Sequence, residues 1–140
     1  MALPFQPRDE DRKLLTGAGG FLDDERAAGA AHGVFVRSPH AFAAIRSIDT
    51  TAARAVPGVL AVLTAADLAR EGVGNVSVIA PVPNGAGLVA PFRPALAGEL
   101  VRHVGDAVAL VVAETDAAAR DAAELVAVDY EPQQPVTDVA

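Results

Sequence analysis

Two apolar segments in the last third of the chain predict its central strands. Residues 108–113 read VALVVA without a polar interruption, which is typical of a strand covered on both faces. Residues 126–130 (VAVDY) alternate between larger apolar and other positions, which predicts a strand with one buried face. Gly105 and Asp106 precede the first strand, and they favour a two-residue hairpin turn because glycine tolerates a positive φ.

A helix is predicted between these two strands. Asp116, Arg120 and Glu124 lie at four-residue intervals, so they share one face and alternate in charge. Thr115 can cap this helix, because its hydroxyl can accept a hydrogen bond from the first turn. The opposite stripe, which we expect to pack on a sheet, consists of Ala118, Ala122 and Leu125.

Shorter elements are predicted in the preceding part of the chain. The patterns favour strands at residues 31–38, 42–48 and 59–63, and short helices at residues 50–56 and 65–70. Residues 71–98 contain four prolines and five glycines, and a loop of this length in a small domain is usually functional or awaits a partner. We therefore predict an extended N-terminal arm at residues 1–30 and one folded domain at residues 31–140.

Three local signals set the boundaries of the short elements. Asp49 is predicted to cap the first short helix. Pro57 and Gly58 suit a type II turn, in which glycine supplies the positive φ. Thr64 and Asp67 are spaced as in a capping box at the start of the second short helix.

The composition predicts a broad but shallow core. The chain is 51% hydrophobic, but 31 of its 140 residues are alanine and aromatic residues make up only 4%. Burying a valine or leucine contributes roughly 1.5–3 kcal/mol, and an alanine much less. We therefore expect marginal stability and some apolar surface that requires a partner.

The charge and cysteine content exclude several classes of function. The net charge is −7 with a single lysine, which argues against a nucleic-acid site, since such sites need clustered cations. No apolar stretch approaches the roughly 20 residues of a membrane span, and the first residues do not resemble a secretory signal. The absence of cysteine excludes disulfides and thiolate metal sites within this sequence. We expect a cytoplasmic protein.

Several residues could carry chemistry, but their spacing favours structural roles. His32 and His40 are too far apart in sequence for an ordinary metal-ligand pair. Ser38 and His40 could form a nucleophile and base, yet they flank a proline and lack a glycine elbow. Asp23 and Asp24 could act as paired carboxylates, but adjacent side chains on an extended chain point apart, so solvated charges or caps are the favoured interpretation.

Two further segments have more than one interpretation. Gly17, Gly19 and Gly20 do not match the dinucleotide-binding fingerprint, since no strand precedes them. They indicate either a backbone that passes close to an anion or an irregular connecting arm, and the connecting arm is the favoured interpretation. Residues 93–103 carry Arg93, Arg102 and His103, which could contact an acidic partner surface or simply face solvent.

Three segments together resemble the N-terminal α/β-hammerhead domain of molybdenum hydroxylase large subunits. This family includes xanthine dehydrogenase, aldehyde oxidase and carbon monoxide dehydrogenase. The segments are EDRKLLTGAGGFLDD (residues 10–24), VFVRSPHAFAAIRSIDTTAARAVPGVLAVLTAADL (residues 34–68) and VRHVGDAVALVVAETDAAARDAAELVAVDYEPQQPV (residues 101–136). The family pattern often has proline where this chain has Ala107. The resemblance implies an α+β fold, an α/β-hammerhead, which we expect as a mixed sheet with two to three short helices.

The resemblance also implies a function in assembly and not in chemistry. In the family, a longer region follows this domain, binds molybdopterin cytosine dinucleotide and carries the catalytic glutamate. We therefore expect no catalytic, cofactor-binding or metal-binding residue in this chain, and no turnover by the isolated chain. The expected partners are the remainder of the molybdopterin-binding subunit and the iron–sulfur and FAD subunits.

We expect the chain to be the structural and assembly domain of such an oxidoreductase. The alternative is a stand-alone binding or interaction protein that keeps the fold without enzyme activity. The candidate partner-contact residues are Phe21, Asp23, Asp24, Arg37, His40 and Arg102.

Overall fold

The computed structural model describes residues 8–21, 27–76 and 93–138. The chain divides into two compact units, residues 1–30 and residues 31–140. The first unit contains one five-residue helix, α1 (Asp11–Leu15). The second unit contains all the strands that the structure describes and three short helices.

The elements of the second unit follow the predicted order. They are β1 (His32–Arg37), β2 (Ala43–Asp49), α2 (Thr51–Arg54), β3 (Val59–Thr64), α3 (Ala65–Arg70), β4 (Leu100–Val101), β5 (Ala107–Ala113), α4 (Asp116–Glu124) and β6 (Ala127–Pro132). The strands and helices predicted at the ranges given above are all present, with ends that differ by at most two residues.

The strands form two three-stranded sheets, with the orders β1-β5-β3 and β4-β2-β6. All their pairings are antiparallel. This arrangement differs from the single mixed sheet that we expected, because α4 carries the chain from β5 in one sheet to β6 in the other. The class of fold, α+β with a few short helices, is as predicted.

The core lies between the two sheets and the helices α2 and α4. One buried cluster joins Val62 and Val111 of the first sheet to Ala53 of α2 and Ala122 of α4. A second cluster surrounds Val101 and Val108. The two clusters share the half-buried side chains Val36, Ile48 and Val128. The largest fully buried side chains are all valines, so the core has the shallow character that the composition predicts.

Strand β5 is the centre of its sheet, as its apolar sequence predicts. It pairs with β1 on one side and β3 on the other. Val108, Ala109, Val111 and Ala113 are buried, and the residues between them are half-buried. Strand β6 also matches its prediction, since Val128 and Tyr130 are half-buried whereas Asp129 is exposed.

Helix α4 has the predicted cap, but its buried stripe is displaced. The Thr115 hydroxyl accepts a hydrogen bond from the Ala118 backbone N–H at 3.2 Å. The fully buried positions are Ala119 and Ala122, and the side chain of Leu125 is 48% exposed. The prediction for Leu125 was wrong, because the helix ends at Glu124 and Leu125 no longer lies on the sheet-facing stripe.

Of the two predicted glycine turns, the one at Gly58 is present and the hairpin turn at Gly105 is not. Gly58 has a φ of 85° and follows Pro57 in a turn closed by the Val59 N–H and the Val56 carbonyl at 3.2 Å, which agrees with the predicted type II turn. Gly105 also has a positive φ, 87°. It does not form the predicted hairpin, because β4 pairs with β2 and not with β5.

Candidate functional site

Two loops meet at one end of the second unit, and we call this region the loop junction. It consists of residues 38–42, which connect β1 to β2, and residues 102–106, which connect β4 to β5. The Ser38 N–H donates to the Asp106 carbonyl at 2.9 Å, and the Gly105 N–H donates to the Ser38 carbonyl at 2.8 Å. These paired backbone bonds fix the two loops against each other.

Arg37 adjoins the loop junction at the end of β1. Its Nη1 donates to the Gly105 carbonyl oxygen at 2.8 Å, and its guanidinium carbon lies 5.4 Å from the centroid of the Phe35 ring. A guanidinium above an aromatic face gains a cation–π interaction. Arg37 is therefore positioned by contacts within the unit, with its side chain at the surface.

Ser38 and His40 stabilise the first loop and do not form a nucleophile–base pair. Ser38 is only 2% exposed, and its Oγ accepts a hydrogen bond from the His40 backbone N–H at 3.0 Å. The His40 ring instead packs edge-on against Tyr130, with 4.9 Å between ring centroids. The imidazole is thus engaged with an aromatic ring, and the contacts between Ser38 and His40 in the described structure use the backbone of His40 and not its ring.

Tyr130 of β6 contacts the loop junction through the ring of His40. Burial raises the pKa of Tyr130, a hydrogen bond from Ser38 opposes this shift, and the nearby carboxylate of Asp106 adds to it. The phenol therefore remains neutral at physiological pH. Tyr130 therefore acts as a packing residue, since its neutral ring contacts His40 and the second buried cluster.

Arg102, His103 and Asp106 form the polar outer part of the second loop. The Arg102 backbone N–H donates to Asp106 Oδ2 at 3.0 Å. The His103 Nε2 lies 3.7 Å from Asp106 Oδ1, and the His103 Nδ1 lies 3.1 Å from the Val104 carbonyl. Among the described residues, the Arg102 guanidinium donates to the Leu100 carbonyl, at 3.4 Å.

The structure brings together three of the six candidate contact residues. Arg37, His40 and Arg102 all lie in or beside the loop junction. Phe21 belongs to the first unit, and its side chain is 65% exposed. Asp23 and Asp24 lie outside the described residues, so their predicted contacts stay predictions. The sequence indicated Asp106 only as a turn residue after Gly105. In the structure its carboxylate accepts a hydrogen bond from the Arg102 N–H and so organises the second loop.

The remaining sequence candidates have structural explanations where the structure describes them. Gly17 has a φ of 69° and its N–H donates to the Leu14 carbonyl at 3.2 Å. This is the C-terminal cap of α1, so at least this glycine ends a helix and does not begin a nucleotide-binding one. Among the described residues, no group of three or more His, Asp or Glu side chains could hold a metal ion. In the same residues, no helix is long and apolar enough to cross a membrane.

The sequence matches the family described as "Aldehyde oxidase and xanthine dehydrogenase, a/b hammerhead domain" over residues 16–134. The chain belongs to this family. The two antiparallel sheets and short helices described above are therefore those of a hammerhead domain, and the resemblance seen in the three sequence segments is confirmed.

Two similar proteins are the large subunit of a hydroxylase and the large chain of a dehydrogenase. The chain is 46% identical over 132 residues to the nicotine 6-hydroxylase large subunit of Paenarthrobacter nicotinovorans, which covers 94% of this chain and 16% of that protein. It is 43% identical over 131 residues to the carbon monoxide dehydrogenase large chain of Afipia carboxidovorans, covering 94% of this chain and 15% of that protein. The chain thus spans about a sixth of the length of these relatives.

Solved structures of the same class agree with this assignment. Quinoline 2-oxidoreductase from Pseudomonas putida 86 superposes with a TM-score of 0.82 at 40% identity, covering 94% of this chain and 16% of that chain. Reconstituted carbon monoxide dehydrogenase from Oligotropha carboxidovorans gives a TM-score of 0.80 at 42% identity, covering 95% and 15%. The likeness thus extends over nearly all of this chain and a small part of each larger one.

The larger clefts among the described residues contain few cationic side chains. The pyrophosphate of a pterin dinucleotide requires several convergent donors, usually at a glycine-rich helix start. The two larger clefts, of about 340 and 420 Å³, have mostly apolar linings, in which the cationic side chains are Arg102 and His103.

Proposed function

We propose that the chain is a non-catalytic assembly domain of a molybdopterin-dependent hydroxylase large subunit. The observation that carries this proposal is the continuous match to the hammerhead family over residues 16–134. The interactions of Ser38 and His40 support a structural role, because Ser38 joins the two loops through its backbone and His40 packs on Tyr130. In this role the domain packs against the remainder of the subunit and contributes no group to the reaction.

The surface of the second unit supports a packing role. Phe35, Leu110 and Leu63 are directly opposed across β1, β5 and β3, so they lie on one face of the sheet. None of them belongs to either buried cluster, and the side chain of Phe35 remains 46% exposed. An apolar row of this kind gains free energy when another surface covers it.

The cofactor and the other subunits belong to the same proposal. The molybdopterin cytosine dinucleotide would be held by the rest of the large subunit, and iron–sulfur and FAD subunits would accept the electrons. Relatives carry the names of subunits, such as the 6-hydroxypseudooxynicotine dehydrogenase complex subunit gamma of Paenarthrobacter nicotinovorans. A cytoplasmic location is part of the proposal.

Co-expression tests the proposal directly. The tagged 140-residue chain is produced together with the coding sequence that continues or follows it in its genome, and the purified material is assayed for bound polypeptide and for molybdenum. We expect a stable complex that contains molybdenum, whereas the chain alone shows no oxidoreductase turnover.

A pair of matched variants locates the packing surface. Phe35→Ser should weaken co-purification, because it removes an aromatic side chain from the apolar row. Leu125→Ser changes a similarly exposed residue, 48% against 46%, on a different element and should leave the complex intact. Failure of the wild-type chain to co-purify would instead favour the stand-alone binding protein.

A further inference from the structure

A small pocket beside the loop junction is lined by charged residues. Its walls are Arg93, Pro94, Arg102, His103 and Asp106, and its volume is about 100 Å³. Pockets for drug-sized ligands begin at roughly 300 Å³, so this one is too small for a nucleotide. It has room for a single compact polar group.

The backbone fixes Arg93 at the first wall of the pocket. The Arg93 N–H donates to the side-chain oxygen of Asn75. The Arg93 carbonyl accepts from the Val76 N–H at 2.8 Å, and Pro94 forms an isolated antiparallel bridge with Asn75. The backbone position of Arg93 is therefore defined by these contacts, although its side chain is exposed.

The second wall is fixed through Asp106. Its Oδ2 accepts from the Arg102 N–H at 3.0 Å, and its carbonyl oxygen accepts from the Ser38 N–H at 2.9 Å. The segment from Arg102 to Asp106 is therefore anchored to β1 through Ser38. Because the backbone of both walls is already ordered by hydrogen bonds, ligand binding between them would cost little conformational entropy.

Among the described residues of the second unit, some arginines have a carboxylate partner and others do not. Arg93 and Arg102 belong to the second group, together with Arg37 and Arg54, whose guanidinium groups donate to carbonyl oxygens. Arg46, Arg70 and Arg120 pair with Glu131, Asp67 and Asp116 at 2.6, 3.2 and 2.7 Å. Within residues 31–76 and 93–138, the guanidinium groups of Arg93 and Arg102 have no ion pair within 4.0 Å.

Asp106 opposes anion binding but does not cancel the local charge. One of its oxygens is occupied by the Arg102 N–H, and the other lies 3.7 Å from the His103 imidazole. The lining of the pocket thus contains two arginines and one carboxylate. This surplus of positive charge occurs in a chain whose net charge is −7.

We propose that this pocket binds one oxyanion group, a phosphate or a carboxylate, between Arg93 and Arg102. Guanidinium groups present paired N–H donors whose geometry matches both anions. The source is either free inorganic phosphate or an acidic side chain. The site belongs to the chain itself, so it does not depend on the co-purification described above.

Titration of the isotope-labelled 140-residue chain tests the site. Inorganic phosphate and N-acetylglutamate amide are added in separate NMR titrations at low ionic strength, and the backbone and guanidinium N–H signals of Arg93 and Arg102 are followed. We expect saturable shifts centred on these residues. Phosphate alone producing them identifies a phosphate site, and both probes producing them identifies a general oxyanion site.

Charge-neutralising variants make the test specific. R102Q and R93Q should each weaken binding about tenfold or more, since a charge-assisted hydrogen bond is worth roughly 1.5–3 kcal/mol. R46Q, which removes an arginine paired elsewhere, should leave the affinity unchanged. The R93Q variant keeps the backbone bonds of residue 93, so loss of binding there is not explained by unfolding. Absence of saturable shifts with either probe, or equal weakening by R46Q, would overturn the site.

Discussion

The replacement Val111→Ala probes the centre of the fold. Val111 is fully buried in the middle of β5 and lies opposite Val34 of β1 and Val62 of β3. The substitution removes two methyl groups, which corresponds to about 1.6 kcal/mol of transfer free energy at about 0.8 kcal/mol per group. Because β5 is paired on both edges, it cannot move to fill the space, so the cavity raises the total to roughly 2–3 kcal/mol.

Val112→Ala is the matched control on the same strand. It makes the same chemical change and the same loss of strand propensity, but Val112 is only half-buried and lies on the opposite face of the sheet. We therefore expect a smaller loss, and a difference of about 1 kcal/mol or more between the two variants.

Urea unfolding followed by far-UV circular dichroism measures both variants. The midpoint should fall further for Val111→Ala, with an unchanged slope, because the surface exposed on unfolding is nearly the same. Equal losses for the two variants would refute the reasoning that the core lies on the Val111 face of this sheet.

Three further predictions concern local features. Gly58→Ala should destabilise the chain by about 1–2 kcal/mol, because Gly58 has a φ of 85°. Gly74→Ala is the control and should have little effect in the same urea assay, because an added Cβ there meets nothing within 4 Å. Equal losses of stability in the two variants would contradict this prediction. Asp67 accepts hydrogen bonds from the Thr64 N–H and hydroxyl at 2.8 and 2.9 Å, and these bonds lower the pKa of Asp67. The stability that Asp67 contributes to the folded chain is therefore present above its pKa in the unfolded chain, and it is lost as the pH falls through its pKa in the folded chain. The stability difference between wild type and Asp67→Ala should accordingly shrink in acid, and a constant difference would exclude the capping contribution. Tyr130 is the sole tyrosine, so tyrosinate absorbance reports its raised pKa directly, and Ser38→Ala should raise this pKa further by removing the hydrogen bond that lowers it; a lowered value would contradict the assigned contact.

The local part of the structure could be predicted from the residues in each segment. The apolar sequence of β5 required burial on both faces, the hydroxyl of Thr115 suited a helix cap, and Gly58 suited a positive φ. Each of these features depends on interactions within a few residues, so the local sequence contains the physical cause. The family could also be identified, because its residues occur in order along nearly the whole chain.

The arrangement of the strands was decided only by tertiary structure. The segment from β5 to β6 has the pattern of a crossover unit, and no local signal indicates that α4 joins two separate sheets. The loop junction likewise depends on Ser38 and Asp106, which are far apart in sequence and meet through backbone hydrogen bonds. Arg93 and Arg102 are close in sequence, but only the folded structure shows that Pro94, His103 and Asp106 line one pocket with them.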